Sequence, residues 1–123
     1  VRRGMDLVTN DQRGTAFRRR IDIPGMEMAG KTGTSQVRRI TMAERSTGVR
    51  KNENLPWQFR DHALFIAYAP VHQPRYAISV VVEHGGGGST NAAPIARDIL
   101  IECQRRDPSR RNPNAEGGRR EMP

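Results

Sequence analysis

The octapeptide AGKTGTSQ, at residues 29–36, sets the architecture of this 123-residue chain. It is rich in Thr and Gly and lies within segment 26–37, which we predict to be a β-strand. Because side chains alternate along a strand, Thr32 and Thr34 share one side of it and Lys31 starts on the other. The long Lys31 stem must therefore curl around a free edge of the sheet. A cation, two hydroxyls and the strand's own N–H groups would together form an edge that binds a carboxylate.

Two further strands are predicted downstream of this segment. β-branched and aromatic side chains fill residues 63–68 and 76–82, as is typical of strands. The gap between them, residues 69–75, contains two prolines and has the length of a hairpin connection. An antiparallel pair is the expected arrangement.

A C-terminal helix is predicted to follow the glycines at 85–88. Ser89, Thr90 or Asn91 can cap its N-terminus, and Pro94 suits its first turn. Its apolar face comprises Ala92, Ile95, Ala96, Ile99 and Cys103. We interpret Cys103 as a small buried apolar residue.

The remaining segments complete an α+β fold. Residues 1–10 have the spacing of the last turns of an amphipathic helix, and residues 38–60 form a long charged loop, of a length that is usually functional or disordered. The order of elements predicts an antiparallel three-strand meander with the C-terminal helix packed on it, in one domain over 1–105. Residues 106–123, rich in Pro, Gly and Arg, are predicted to be a disordered basic tail.

Composition and charge restrict the possible functions. Arginine supplies 19 of the 21 basic residues, against 13 acidic ones, which gives a net charge of +8. No apolar run approaches the roughly 20 residues of a membrane-spanning helix. The single cysteine excludes a disulfide within the chain, and we expect neither a metal nor a cofactor. The start at Val1 suggests a piece cut from a longer protein.

Two other functions fit parts of the sequence. Residues 25–32, GMEMAGKT, match the phosphate-loop pattern, but no helical pattern follows them, as that motif requires. A basic module that binds nucleic acid or an acidic polymer through its arginines is the alternative function. The arginines are scattered and few aromatic residues lie among them, so we expect no nucleic-acid partner. Trp57 could contact a substrate or anchor its loop.

Several motifs together resemble a known family. They are GTA at 14–16, AGKTGTSQ at 29–36, DHALFIAYAP at 61–70, VVVEHG at 80–85 and AAPIA at 92–96. In this order and spacing, residues 1–102 look like the C-terminal part of the transpeptidase domain of a class B penicillin-binding protein of the elongation type. The signature motifs of such enzymes are S-x-x-K, S-x-N and K-T-G.

The resemblance implies a serine D,D-transpeptidase that cross-links peptidoglycan stem peptides through an acyl-enzyme and binds β-lactams. The K-T-G strand is then one edge of a five-stranded sheet and one wall of the cleft. Lys31 would hold charge near the catalytic serine and the substrate carboxylate, and Gly33 would allow close approach. Thr32 and Thr34 would hydrogen-bond that carboxylate, and the N–H of Thr34 would be an oxyanion donor.

The sequence departs from the family's pattern at two of the three signature motifs. No serine is followed three residues later by Lys, and the S-x-N of Ser89–Asn91 comes after the K-T-G instead of before it. The resemblance therefore implies that the nucleophile lies upstream of Val1 and that this chain alone is inactive. It also implies a membrane glycan polymerase and elongation-complex proteins as partners, at the periplasmic side of the bacterial inner membrane.

Overall fold

The computed structural model describes residues 1–111 and contains one three-stranded sheet. Strand β1 (Ala29–Ser35) pairs with β2 (His62–Ala69), which pairs with β3 (Tyr76–Val82), and both pairings are antiparallel. The predicted meander is thus confirmed. Strand β3 has the predicted bounds, and β2 is one residue longer than its predicted segment at each end. Strand β1 is shorter than the predicted segment 26–37.

Strand β2 decides which face of the sheet is the core. Its odd-numbered side chains are buried, and Ile66 on the opposite face is 49% exposed. Thr32 pairs with Phe65 and Thr34 with Ala63, so both threonines lie on the core face. The fully buried residues of this core are Ala16, Met28, Ala63, Phe65, Ala69, Ala92, Ala93 and Ala96.

Two helices pack on the sheet. Helix α1 (Arg2–Asn10) lies against β1, and α3 (Ala93–Arg105) covers the core face of β2 and β3. A π-helical turn, residues 88–92, leads into α3. None of the helices within residues 1–111 has both the length and the apolar character needed to cross a bilayer.

The predicted apolar face of α3 is rotated relative to the buried one. Helix α3 buries Ala93, Ala96, Leu100 and Gln104, whereas Ile95 and Ile99 are 42% and 45% exposed and Cys103 is half-buried. The buried residues recur at spacings of three and four and form the stripe that packs on the sheet. This orientation places Gln104 where its side-chain amide donates to the Met26 carbonyl at 3.0 Å.

The predicted helix cap is also wrong. The N-cap of α3 is Ala92, which makes no side-chain capping bond. The Ser89 hydroxyl and the Asn91 amide bond instead to the carbonyls of Thr15 and Gly85. Pro94 does lie in the first turn, as predicted.

The long connection between β1 and β2 has structure of its own. It contains helix α2 (Met42–Thr47) and two short 3-10 turns, Asn52–Asn54 and Trp57–Phe59. Thr41 caps α2 by accepting the N–H of Glu44 at 3.2 Å. The interpretation of 38–60 as a structureless loop is therefore wrong.

The chain after α3 is anchored to the hairpin. Asp107 is 3% exposed and accepts the hydroxyl of Tyr76 at 2.7 Å, and a short helix α4 (Pro108–Arg111) follows. The prediction of disorder over 106–123 is wrong for residues 106–111, because a buried carboxylate ties them to β3. The remainder of that segment, 112–123, lies outside the described residues.

Candidate functional site

The free edge of β1 carries the predicted site residues. The N–H of Gly30 turns away from β2 and donates to the Thr9 hydroxyl of α1 at 3.0 Å. N–H groups alternate in direction along an antiparallel strand. The N–H groups of Thr32 and Thr34 therefore point to the same free edge as that of Gly30. Within residues 1–111, helix α1 meets this edge at Gly30, and Thr34 and Ser35 further along β1 are exposed.

Lys31 reaches the same edge from the opposite face of the sheet. Its ammonium donates to the carbonyl of Thr32 at 2.8 Å, and its side chain is exposed. In an antiparallel strand the N–H and the carbonyl of one residue point to the same side, so the carbonyl of Thr32 faces outward with its N–H. The Lys31 stem thus curls around the edge, and its charge lies beside the outward N–H groups.

The π turn presses against the K-T-G strand where Gly33 lies. A Cβ atom on Gly88 would come within 2.7 Å of the Gly33 carbonyl oxygen and 3.1 Å of its nitrogen. Real Cβ atoms do not approach backbone this closely, so only glycine fits at 88. Thr32 and Thr34 flank the contact on the face that the turn covers.

A second hydroxyl cluster adjoins Thr32 and was not predicted. The Thr15 and Thr32 hydroxyl oxygens are 3.2 Å apart, and the Ser89 hydroxyl donates to the Thr15 carbonyl at 2.7 Å. In the sequence, residues 14–16 formed one motif of the family resemblance and Ser89 was a candidate helix cap. The Ser89–Thr15 contact joins residues 74 positions apart, and no local sequence pattern predicts such a contact.

A groove runs along the edge between the end of α1 and Lys31. Its volume is about 470 Å³, and Thr15 lines it together with Asp11 and Arg13. The Arg13 side chain donates to Asp11 at 3.1 Å, and this bond holds the pKa of the Asp11 carboxyl below its usual value. The groove therefore contains one ion-paired carboxylate and the separate positive charge of Lys31.

Three aromatic rings meet at the far end of the sheet, beside the end of β1. His62, which pairs with Ser35, accepts the N–H of His84 on Nδ1 at 2.8 Å. His84 Nδ1 lies 2.9 Å from the Arg60 carbonyl, which can only accept, so this nitrogen carries a hydrogen. The Trp57 ring centroid is 4.4 Å from that of His84, and Trp57 remains 58% exposed. Trp57 thus contacts the sheet end through His84.

The connection 36–61 is closed by an internal ion pair. Arg38 donates two hydrogen bonds to Glu44 at 2.7 and 2.8 Å, and the N–H of Arg50 donates to the same carboxylate at 3.2 Å. The Arg38 bond is the largest cause that lowers the pKa of Glu44 to about 2. A cavity of about 680 Å³ lies beside this pair, lined in part by Leu55 and Phe59.

The four predicted site residues thus lie consecutively on one exposed strand edge. Because Gly30, Lys31 and Thr32 are in an extended strand, no helix N-terminus follows them, and the phosphate-loop interpretation is wrong. The arrangement offers a cation, outward backbone donors and threonine hydroxyls. Such a set suits a ligand that has both a carboxylate and a polarised carbonyl.

Comparison with protein families gives one match over most of the chain. Residues 1–101 match the model described as the penicillin binding protein transpeptidase domain. The peptidoglycan D,D-transpeptidase MrdA of Haemophilus influenzae is 39% identical over 102 residues, which are 81% of this chain and 15% of that protein. MrdA of Salmonella typhimurium is 37% identical over 100 residues.

Solved structures give the same fold. The PBP2 chain in the complex of penicillin-binding protein and MreC from Helicobacter pylori has a TM-score of 0.66 at 30% identity. The match covers 85% of this chain and 16% of that one. PBP2 of Pseudomonas aeruginosa has a TM-score of 0.58 at 32% identity, over 86% and 18% of the two chains. The present chain spans about 15% of the length of the curated relatives it matches.

Proposed function

Because this chain belongs to the penicillin-binding protein transpeptidase family, we propose that it forms the K-T-G wall of a peptidoglycan D,D-transpeptidase. The observation that carries the proposal is the free edge of β1. There Lys31 and the outward N–H groups of Thr32 and Thr34 lie side by side. The proposed reaction is acyl transfer from a stem peptide through a serine ester, and β-lactams would form the same ester.

The backbone supports the oxyanion step. In acyl transfer, negative charge develops on the carbonyl oxygen of the scissile bond, and a fixed N–H donor stabilises it. The N–H of Thr34 is such a donor, since it belongs to a strand whose other side is bonded to β2. Losing one donor of this kind typically slows the reaction by about 10²–10³.

The side chains support recognition of the carboxylate. A stem peptide ends in a carboxylate, and a penicillin carries one on its ring system. Thr32 and Thr34 would donate to it, and Lys31 would supply the positive charge. Hydrogen bonds to a charged group contribute about 1.5–3 kcal/mol each. In this structure the Lys31 ammonium bonds to a backbone carbonyl that a carboxylate can replace as its acceptor.

The nucleophile is proposed to come from polypeptide outside these 123 residues. No S-x-x-K occurs in the sequence, and the Ser89 hydroxyl is engaged with the Thr15 carbonyl. The outer edge of β3 is the proposed contact with that polypeptide, because two more strands there would give a five-stranded sheet. By likeness to PBP2 of Helicobacter pylori, which forms a complex with MreC, we propose elongation-complex proteins as partners, including a membrane glycan polymerase. The proposed location is the periplasmic side of the inner membrane.

Labelling with a fluorescent penicillin tests the proposal. The sample is the longest natural polypeptide that contains these residues, called the intact polypeptide below. It should be labelled covalently, and Lys31→Ala should slow labelling by about 10- to 100-fold, the equivalent of one charge-assisted bond.

The matched control is Lys51→Ala, since Lys51 is the other lysine of the chain and is exposed in the β1–β2 connection. It should label at the wild-type rate, and the 123-residue chain alone should not be labelled. Strong labelling of the chain alone, or equal rates for the two lysine variants, would refute the proposed function.

A further inference from the structure

We propose that Thr15, outside the K-T-G strand, is a positioning residue that orients the Thr32 hydroxyl toward the ligand carboxylate. This inference rests on the proposed function, because it names a further residue of the same site. It is carried by the contact between the Thr15 and Thr32 hydroxyl oxygens, which are 3.2 Å apart.

One of the two hydroxyl hydrogens in this pair is not used in the contact between them and can donate to a ligand. Each threonine hydroxyl carries one hydrogen and can accept on its lone pairs. When Thr15 donates across the contact, the Thr32 oxygen accepts. The hydrogen of the Thr32 hydroxyl then points away from Thr15 and is available to the proposed ligand carboxylate. A carboxylate accepts hydrogen bonds only, so this direction is the one that binding requires. Without Thr15, the Thr32 hydroxyl can rotate, and its hydrogen is shared among several directions.

Thr15 is held firmly enough to act in this way. The N–H of Gly14 donates to the backbone carbonyl of Asp11 at 2.8 Å, and the N–H of Ala16 donates to the backbone carbonyl of Val8 at 3.0 Å. Ala16 is fully buried in the core. A Cβ atom on Gly14 would collide with the Val8 carbonyl, so the turn lies directly against the end of α1. These contacts fix the backbone on both sides of Thr15.

Ser89 connects Thr15 to the turn that covers the strand. Its hydroxyl donates to the Thr15 carbonyl at 2.7 Å, and the neighbouring Gly88 lies against the backbone of Gly33. The 14–16 turn and the π turn therefore support each other over the Thr32 side of β1. Through this bond, Ser89 is expected to support the position of Thr15.

The test is the rate at which benzylpenicillin acylates the intact polypeptide. Thr15→Val keeps the shape of the side chain and removes its hydroxyl. It should slow acylation by about 3- to 10-fold, the worth of a neutral hydrogen bond, and Thr15→Ser should restore the wild-type rate. Thr47→Val is the matched control, because that hydroxyl bonds only within α2, to the Ala43 carbonyl at 3.0 Å. It should leave the rate unchanged.

A double-mutant cycle separates positioning from a general structural effect. Because Thr15 acts through Thr32, Thr15→Val should have no further effect when Thr32 is already Val. Ser89→Ala should slow acylation less than Thr15→Val does, and it provides the test if Thr15→Val does not fold. An equal loss in both backgrounds, or a Thr15→Val rate equal to that of wild type, would overturn the inference alone. An unlabelled wild-type protein would overturn the proposed function and this inference with it.

Discussion

Gly88 shows how much one residue constrains this site. It allows the π turn to lie directly on the backbone of Gly33 and on the Leu64 carbonyl. The strand is thereby clamped between its β2 partner and the turn, while its free edge stays open. The proposed oxyanion donor on β1 must not move during the reaction, and this contact would provide that rigidity.

Gly88→Ala is expected to destabilise the intact polypeptide by about 1–3 kcal/mol, the usual cost of overpacking a close contact. The added methyl group must displace the π turn, since the backbone atoms it meets are part of the β1–β2 ladder. The measurement is the free energy of unfolding in urea, together with the rate of penicillin acylation, which should also fall.

Gly4→Ala is the matched control for this substitution. Gly4 lies inside α1, and a Cβ atom there meets nothing within 4 Å. Alanine favours a helix over glycine by roughly 0.5–1 kcal/mol, so this variant should be slightly more stable than wild type. If Gly88→Ala is as stable as Gly4→Ala, the described contact is wrong.

At the scale of elements, the C-terminal end of α3 is fastened to the β2–β3 hairpin by one carboxylate. Asp107 accepts the Ser109 hydroxyl at 2.6 Å and that of Tyr76 at 2.7 Å, and it pairs with Arg75 at 2.8 Å. The Ser109 and Tyr76 bonds are the main causes that lower the Asp107 pKa from 3.8 to about 2. The same carboxylate raises the pKa of Tyr76.

This anchor predicts a pH dependence with a definite sign. The folded state holds its Asp107 proton less tightly than the unfolded state does, so the carboxylate stabilises the fold above about pH 4. That stabilisation is lost as the pH falls from about 4 to about 2. Asp107→Asn should lower the free energy of unfolding at pH 7 and flatten this part of its pH profile.

The control is Asp22→Asn, because the Asp22 side chain is 86% exposed and lies 3.7 Å from Arg20. Urea unfolding between pH 2 and pH 7 compares the two variants. An Asp107→Asn profile that keeps the full wild-type slope below pH 4 would contradict the role assigned to this carboxylate.

The elements also show what the sequence could predict. Strands β2 and β3 were predictable because their β-branched and aromatic content is local. Strand β1 contains two glycines and no aromatic residue, and its prediction rested on its Thr and Gly content. The π turn was not predictable, because its cause is the contact of Gly88 with a strand that lies far away in the sequence. The helical pattern predicted Ile95 and Ile99 to be buried, but the stripe of α3 that packs on the sheet leaves both exposed.

The same division holds for the site. The placement of Lys31 to Thr34 on one strand could be predicted because a strand's alternation fixes their sides and the motif is contiguous, and their role stays a prediction. Thr15 and Ser89 could not be predicted, since only tertiary packing brings them to Thr32. The anchor at Asp107 was missed because Pro, Gly and Arg dominate the composition of the segment around it, and composition does not reveal one buried carboxylate.

At the scale of the whole molecule, the sheet has two different edges. The β1 edge carries the proposed site, and within residues 1–111 no strand pairs with the outer edge of β3. The face opposite the core exposes Ile66 by 49% and Val81 by 59%. An unpaired strand next to exposed apolar side chains is a template for association with another strand.

The 123-residue chain expressed alone is therefore expected to self-associate or to fold poorly. Light scattering coupled to size-exclusion chromatography measures the mass, and urea titration measures cooperativity. The intact polypeptide should not share this behaviour if its own strands cover the β3 edge. A chain that is monomeric and unfolds in one cooperative transition would contradict this expectation.

The most direct test of the proposed site is a crystal structure of the intact polypeptide acylated by a penicillin. The acyl carbonyl oxygen should lie about 2.7–3.1 Å from the nitrogen of Thr34, at the distance of an oxyanion donor. The penicillin carboxylate should lie against the hydroxyls of Thr32 and Thr34, with the Lys31 ammonium beside it. An acyl group that lies away from the β1 edge, or a carboxylate bound by other residues, would refute this site.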